Sequence, residues 1–347
     1  MNKIAHLKQG KLLIVFAVGS LLVSCKKPKI EKAEPWGFNQ EDYFPQAIYT
    51  FANNKQSYER FQLGAALFYD PILSSDSTIS CETCHAQTHA FSSHNTPVSQ
   101  GVGGALGTRN SPAIFNLAWS PAFMWDGGIN HIEVMPIGPI TNPVEMNETL
   151  AHVVTKLKNS EKYRKLFKKA YGTEQITDQL LLKALTQYLV MIISDNSKYD
   201  KVKRGETVYT ATEQAGYDLF VQKCSQCHTE PLFTDYSYRN NGLDATFTND
   251  LGRAHITQLT EDEGKFKVPT LRNVAKTYPY MHDGRFYTLN QVLDHYVSGV
   301  QHSATLDPML ESGIPLTGLE KQQLIAFLKT LTDYDLLNNA WLFQPSF

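Results

Sequence analysis

Cys81-Glu82-Thr83-Cys84-His85 and Cys224-Ser225-Gln226-Cys227-His228 are two copies of one five-residue pattern, and their reading decides the fold. Cys-x-x-Cys-His is the attachment signature of a c-type haem. Each thiol adds across a vinyl group, and the adjacent His lies beneath the iron as its proximal ligand. The spacing is chemical, because two thioether bonds and one Fe–N bond must meet a single planar macrocycle. A zinc site built from the two Cys pairs is the competing reading. It leaves both following histidines unexplained. The pattern therefore points to two covalent haem c groups, one on Cys81, Cys84 and His85 and one on Cys224, Cys227 and His228.

The chain has 347 residues and 5 Cys, so the two motifs leave no pair for a disulfide. The fifth, Cys25, closes a segment built like an export signal. Lys3, Lys8 and Lys11 precede an apolar run from Leu12 to Gly19, followed by Leu21-Leu22-Val23-Ser24-Cys25. That run is too short to span a bilayer. Leu-Val-Ser-Cys resembles a bacterial lipobox, which implies removal of residues 1–24 and a diacylglycerol on the Cys25 thiol. Acyl chains would then hold an exported protein to a membrane facing the periplasm. An ordinary signal peptide with an incidental Cys is the alternative. Residues 25–40, charged and Pro-containing after Cys25, read as a tether.

Two domains suit the remaining length, 41–205 and 206–347, each holding one motif. Apolar content of 42% is enough for cores, and a net charge of −2 without a basic, aromatic-interleaved patch gives no argument for nucleic acid, so no such partner is expected. Apolar periodicity and caps predict helices over Tyr58–Tyr69, Glu148–Tyr171, Thr177–Ile193, Thr212–Lys223 and Thr317–Leu331. Thr317 and Glu320 form a capping-box pattern. Long Gly/Pro/Asn-rich stretches, 92–145 and 231–285, separate these helices. Wrapping a haem, whose two faces must be covered from several directions, accounts for them. The expected fold is mainly α, with two cytochrome c-like haem domains and long loops.

Further segments carry a family resemblance. They are Arg109-Asn110-Ser111-Pro112, Trp125-Asp126-Gly127-Gly128, the run Gly138 to Met146, Lys267-Val268-Pro269-Thr270-Leu271-Arg272-Asn273-Val274 and Tyr280-Met281-His282-Asp283-Gly284. With the two motifs, in this order, they resemble the bacterial di-haem cytochrome c peroxidases and their relative MauG. The resemblance implies that peroxide reacts at the His85 haem and that electrons enter at the His228 haem. It places Glu145 as the catalytic acid, since cleaving an O–O bond needs a proton moved from the inner to the outer oxygen. Read alone, Glu145 is an acid at a helix N-terminus. Pro139 matches a residue over the same haem face. Trp125 matches the aromatic between the haems, where an indole can relay electrons; ordinary core packing is the competing reading.

The family's first haem often carries a removable distal His. The matching position falls at Gly101-Val102, which holds none, although His89 and His94 lie upstream. The expectation is a first iron open in the resting state. Met135 stands where peroxidase members carry Gln, and a thioether cannot donate a hydrogen bond. At the second haem the position of the distal ligand is Tyr296, as in MauG; peroxidase members place Met there. Tyr296 also fits an apolar helical stripe with Leu289, Val292 and Leu293, and His295, Met281 and Met309 are rival ligands. The resemblance further implies one Ca²⁺, held by the Asn110 side chain and the Thr277 and Pro279 carbonyls. The family is often dimeric, so a homodimer is also expected. Three readings follow. The first is a peroxidase reducing hydrogen peroxide with electrons from a small exported cytochrome c or cupredoxin. The second is a MauG-like oxidase modifying Tyr or Trp of a partner protein. The third is a non-enzymatic di-haem electron carrier.

Overall fold

Short polar caps set where the helices begin. Ser57, Thr149, Ser160, Thr177, Thr210 and Thr317 each accept a backbone N–H from the first turn of the helix that follows. The computed structural model describes residues 37–93 and 96–345. In chain order the helices are α1 (Tyr58–Tyr69), α2 (Cys81–Cys84), α3 (Ile137–Thr141), α4 (Leu150–Asn159), α5 (Glu161–Tyr171) and α6 (Asp178–Leu189). They continue as α7 (Lys198–Lys203), α8 (Ala211–Lys223), α9 (Ala254–Thr257), α10 (Leu289–Asp294), α11 (Gly318–Thr330) and α12 (Tyr334–Asn338). Two short strands, β1 (Tyr238–Arg239) and β2 (Phe266–Lys267), pair antiparallel. The fold is mostly helical, as expected.

The predicted helix Glu148–Tyr171 is two helices. Ser160 ends α4 and caps α5 through its side chain, because its extended backbone breaks the hydrogen-bond ladder. Its predicted start also shifts, since Thr149 is the cap and Glu148 folds back to accept from the Thr149 N–H at 2.8 Å. The predicted helix Thr177–Ile193 stops at Leu189. The other three keep their positions to within a residue. Residues 1–24, Cys25, the tether as far as 36, and His94 lie outside the described residues. Among the described residues no helix is long and apolar enough to cross a membrane.

Two helix pairs are built on one plan. In α1, a Cβ on Gly64 would run into the Ala184 carbonyl of α6 and lie 2.9 Å from Tyr188 Cβ. In α8, a Cβ on Gly216 would run into the Gln323 carbonyl of α11 and lie 2.9 Å from Phe327 Cβ. Each pair thus crosses with backbones in contact, over a residue and its i+4 neighbour. Each also walls one Cys pair. Cys81 packs on a core containing Phe61, Phe68, Phe91 and Tyr188. Cys224 packs on one containing Phe220, Phe233, Leu324 and Phe327. A third core joins α1, α4, α5 and α6.

Between these pairs runs a fully buried ion pair. Arg272 Nη1 and Nη2 donate to the Asp200 carboxylate at 2.9 and 2.8 Å, and the Tyr43 hydroxyl donates to it at 2.8 Å. Arg272 Nε also donates to the Pro231 carbonyl at 2.8 Å. That bond fixes the turn leading from the second motif.

Candidate active site

Both histidines are held through Nδ1 by the carbonyl of a phenylalanine a few residues on. His85 follows α2, and its Nδ1 donates to the Phe91 carbonyl at 3.1 Å. His228 Nδ1 donates to the carbonyls of Phe233 at 3.2 Å and Pro269 at 3.1 Å. Both phenylalanines have a φ of 55°, uncommon for a bulky side chain, which turns their carbonyls back toward the histidine. With Nδ1 protonated, Nε2 carries the free lone pair, the arrangement of a metal-ligating His. Burial pushes the His85 pKa down to about 4 and lowers that of His228 as well, so both rings are neutral. Burial also pushes the Cys81 and Cys224 thiols up to about 12. Among the described residues no group of three or more His, Cys, Asp or Glu side chains is disposed to hold a metal ion.

His85 and His228 face one cavity of about 1090 Å³. Most of its wall is apolar, with Ile114, Phe115, Met135, Leu271, Val274 and Leu293 among the lining residues. A neutral His with a free Nε2, a neighbouring Cys pair and a large apolar chamber, all in duplicate, fit two covalently attached macrocycles.

The turn before α3, α3 itself and the turn after it bring Met135, Pro139, Asn142 and Glu145 to the wall. Asn142 organises the turn: its carbonyl accepts the Glu145 N–H, its Oδ1 accepts the Val144 N–H, and its Nδ2 donates to Glu145 Oε1 at 3.0 Å. Burial raises the Glu145 pKa, and the Asn142 bond opposes part of that rise. The helix-terminal role belongs instead to Glu148, which bonds the Thr149 N–H and pairs with Lys156 at 2.8 Å. The Gly101-Val102 segment lies against this turn, with the Val102 N–H on the Glu145 carbonyl at 2.8 Å. His89 packs against Tyr278. Among the described residues, the histidines lining the cavity are His85, His228, His255 and His282.

Trp125 lines the same cavity, its indole N–H donating to the Asn110 carbonyl at 2.8 Å. Its own carbonyl accepts the Lys267 N–H at 2.7 Å. Desolvation of the half-buried Lys267 lowers its pKa to about 8, and Nζ donates to the Ala122 carbonyl at 2.6 Å. Pro269, two residues on, supplies a carbonyl to His228. A short path of chain and hydrogen bonds therefore joins Trp125 to the second histidine.

Tyr296 lies on a wide turn, His295–Gly299, that extends α10 with i→i+5 geometry. Its side chain lines the cavity close to Cys224 and Cys227, and burial raises its pKa. Met281 and Met309 also line the cavity. His295 is turned away, with Nε2 on the Asn241 carbonyl at 3.0 Å. Asn110, Thr277 and Pro279 each line the cavity. The Asn110 amide donates to the Thr96 and Pro97 carbonyls at 3.1 and 2.9 Å.

The model of the di-haem cytochrome c peroxidase family matches residues 58–208. The methylamine utilization protein MauG of Methylorubrum extorquens is 37% identical over 279 residues, covering 79% of this chain and 78% of the relative. The chain belongs to the di-haem cytochrome c peroxidase family. Another relative, the cytochrome c551 peroxidase of Nitrosomonas europaea, is 33% identical over 78% of this chain and 79% of its own. A solved MauG-like protein associated with microbial copper homeostasis matches with a TM-score of 0.82 at 32% identity, over 89% of this chain and 99% of its own. Membership implies two haem c groups, and the duplicate sites described above are where they fit. Sequence reasoning missed the supporting residues, Asn142, Lys267, Asn241 and the carbonyls of Phe91 and Phe233. Their signal lies in contacts between distant segments.

Proposed function

We propose that this protein reduces hydrogen peroxide to water, taking two electrons from a small exported redox protein, a cytochrome c or a cupredoxin. The observation that carries the reading is Glu145, a half-buried carboxyl of raised pKa that lines the mostly apolar cavity beside Asn142, Pro139 and Met135. The haem pair, when bound, supplies the redox equivalents. Glu145 accepts a proton from the inner peroxide oxygen and delivers one to the outer oxygen, so that H₂O₂, two electrons and two protons give two waters. Asn142 holds the carboxylate in place. Pro139 and Met135 keep bulk water off that face, which remains open to peroxide because Gly101-Val102 offers no histidine. Trp125 relays electrons between the two halves.

In this reading 41–205 forms the peroxidatic domain and 206–347 the electron-accepting domain, with Tyr296 as the distal ligand of the second haem. Asn110, Thr277 and Pro279 hold one Ca²⁺, and two copies of the chain form a homodimer. Cys25 carries the lipid that keeps the exported protein at a membrane facing the periplasm. A second reading, a MauG-like oxidase acting on Tyr or Trp of a partner protein, is favoured by Tyr296, a hard anionic ligand that stabilises higher iron oxidation states. A pure electron carrier fits poorly with a proton-handling carboxyl over an open face.

Stopped-flow spectroscopy of the holoprotein with hydrogen peroxide, with and without a reduced cytochrome c or cupredoxin, separates the three. Rapid multi-turnover oxidation of the donor supports the peroxidase. A long-lived oxidised state indifferent to the donor supports the oxidase. Absence of any reaction with peroxide, cyanide or CO leaves the carrier.

A further inference from the structure

Two of the rivals to Tyr296, Met281 and His295, bond to one residue, Asn241. Its Nδ2 donates to Met281 Sδ at 3.4 Å. Its backbone carbonyl takes His295 Nε2 at 3.0 Å, which turns that ring away from the cavity. Tyr296 lines the same cavity wall.

Asn241 sits on a loop with little freedom. The neighbouring Asn240 is buried, and its Nδ2 donates to Ser303 Oγ and Thr305 Oγ1, both at 2.9 Å. Asn240 Oδ1 accepts the Gly242 N–H at 2.8 Å. The Asp307 N–H reaches the Asn240 carbonyl at 3.0 Å, and the Gln301 N–H reaches the Gly242 carbonyl at 2.7 Å. Asn241 therefore presents its amide to the cavity from a fixed position.

We propose that Asn241 selects the distal ligand of the second haem. It engages the Met281 thioether and occupies His295, which leaves Tyr296 as the side chain free to ligate. A thioether whose lone pair meets an N–H is a poorer ligand. Asn241 is thus a positioning residue that acts through Met281 and His295. The inference rests on reading Tyr296 as the distal ligand.

The test uses the full-length holoprotein with both haems attached, checked by pyridine haemochrome content. EPR and near-infrared magnetic circular dichroism of the oxidised protein report the axial ligands of the second haem, and spectroelectrochemistry reports its midpoint potential. Asn241→Leu is expected to replace His–Tyr signatures by the sulfur charge-transfer band of His–Met ligation and to raise the potential. Met281→Leu alone leaves the wild-type signature. The double variant Asn241→Leu/Met281→Leu loses the sulfur band and returns toward His–Tyr, a rescue that a merely structural role for Asn241 does not produce. Asn241→Asp keeps the shape and the backbone contact but removes the N–H donors, so it must shift the spectrum like the Leu variant even if that variant folds poorly. Wild-type spectra and potential in Asn241→Asp, or a sulfur band that persists in the double variant, overturn the proposal. Tyr296→Phe is the separate arm: if it leaves the signature unchanged, the underlying tyrosine ligation falls, whatever Asn241 does.

Discussion

The two halves of the cavity share a floor and differ in their ceilings. On the proximal side, each half has a Cys pair, a neutral His, a phenylalanine at φ 55° whose carbonyl takes Nδ1–H, and a helix pair crossing at a glycine. On the distal side nothing repeats. The first half sets Met135, Pro139 and the Asn142-held Glu145 against the chamber. The second sets Tyr296, Met281 and Asn241 there. Attaching a macrocycle is one chemical problem and receives one solution twice. What each macrocycle then does is decided by groups on its other face.

The largest expected effect breaks the first ceiling alone. Glu145→Gln removes the proton acceptor while keeping the Asn142 contact region nearly isosteric. Peroxide turnover should fall about 10²- to 10⁴-fold, the range for losing a general acid–base group. The ligand-field spectrum of the second haem should not change. Steady-state kinetics paired with EPR checks both. If turnover survives, the proton is handled elsewhere, and the asymmetry between the halves loses its functional meaning.

A second prediction probes the floor of the second half. Asp200→Asn leaves Arg272 buried without its carboxylate, which costs about 3–5 kcal/mol by analogy with broken buried pairs. Urea unfolding measures this. The Pro231 turn loosens with it, so the second haem's potential should move more than the first's. Burial by itself raises the Asp200 pKa, but hydrogen bonds and charge from Arg272, with Ser197 and Tyr43, bring it below the ordinary carboxylate value. A lowered folded-state pKa gives stability above the unfolded pKa that is lost as pH falls through the folded one. Wild-type stability should therefore decline on acidification in that window, and the Asn variant should decline less.

Much of the floor was readable from residues alone. Two Cys-x-x-Cys-His motifs and five apolar periodicities carry local signals, because thioether spacing and helical faces are properties of short segments. Even there, Ser160 was hidden inside the amphipathic run Glu148–Tyr171, since a cap that ends one helix and starts another disrupts no apolar period. Glu145 and Tyr296 were legible only through resemblance. By periodicity, Glu145 passes for a helix-terminal acid, a part played by Glu148, three positions on. The duplication of Gly64 and Gly216 was illegible, because a glycine that admits a neighbouring backbone looks like any other glycine until its partner helix is known. Asn241, Asn142 and Lys267 act across turns or between distant segments, where no spacing rule applies.

That duplicated glycine gives the third prediction. Ala is the better helix former by about 1 kcal/mol, so on propensity alone Gly64→Ala and Gly216→Ala should each stabilise. Both should instead destabilise, by about 1–3 kcal/mol, because the added Cβ meets the carbonyl of the partner helix and forces the crossing apart. Thermal unfolding of the holoproteins measures the sign. Similar losses at both positions would confirm equivalent floors. A loss at one alone would mean that one crossing has slack, and that the proximal plan is less repetitive than the backbone suggests.

The smallest effect concerns Asn142. Glu145 must be ionised to accept the first proton, so turnover falls on the acid side as pH drops through its pKa. Burial sets that pKa above the ordinary carboxylate value, which moves the acid limb upward. The Asn142 N–H bond favours the ionised form and holds the limb partly down. Asn142→Ala should therefore displace the acid limb of kcat/KM further toward neutral pH, with little change on the plateau. The pH–rate profile reads this directly. A shift toward lower pH would show Asn142 bonding the protonated acid rather than the carboxylate, and Glu145 would then begin the cycle as a proton donor.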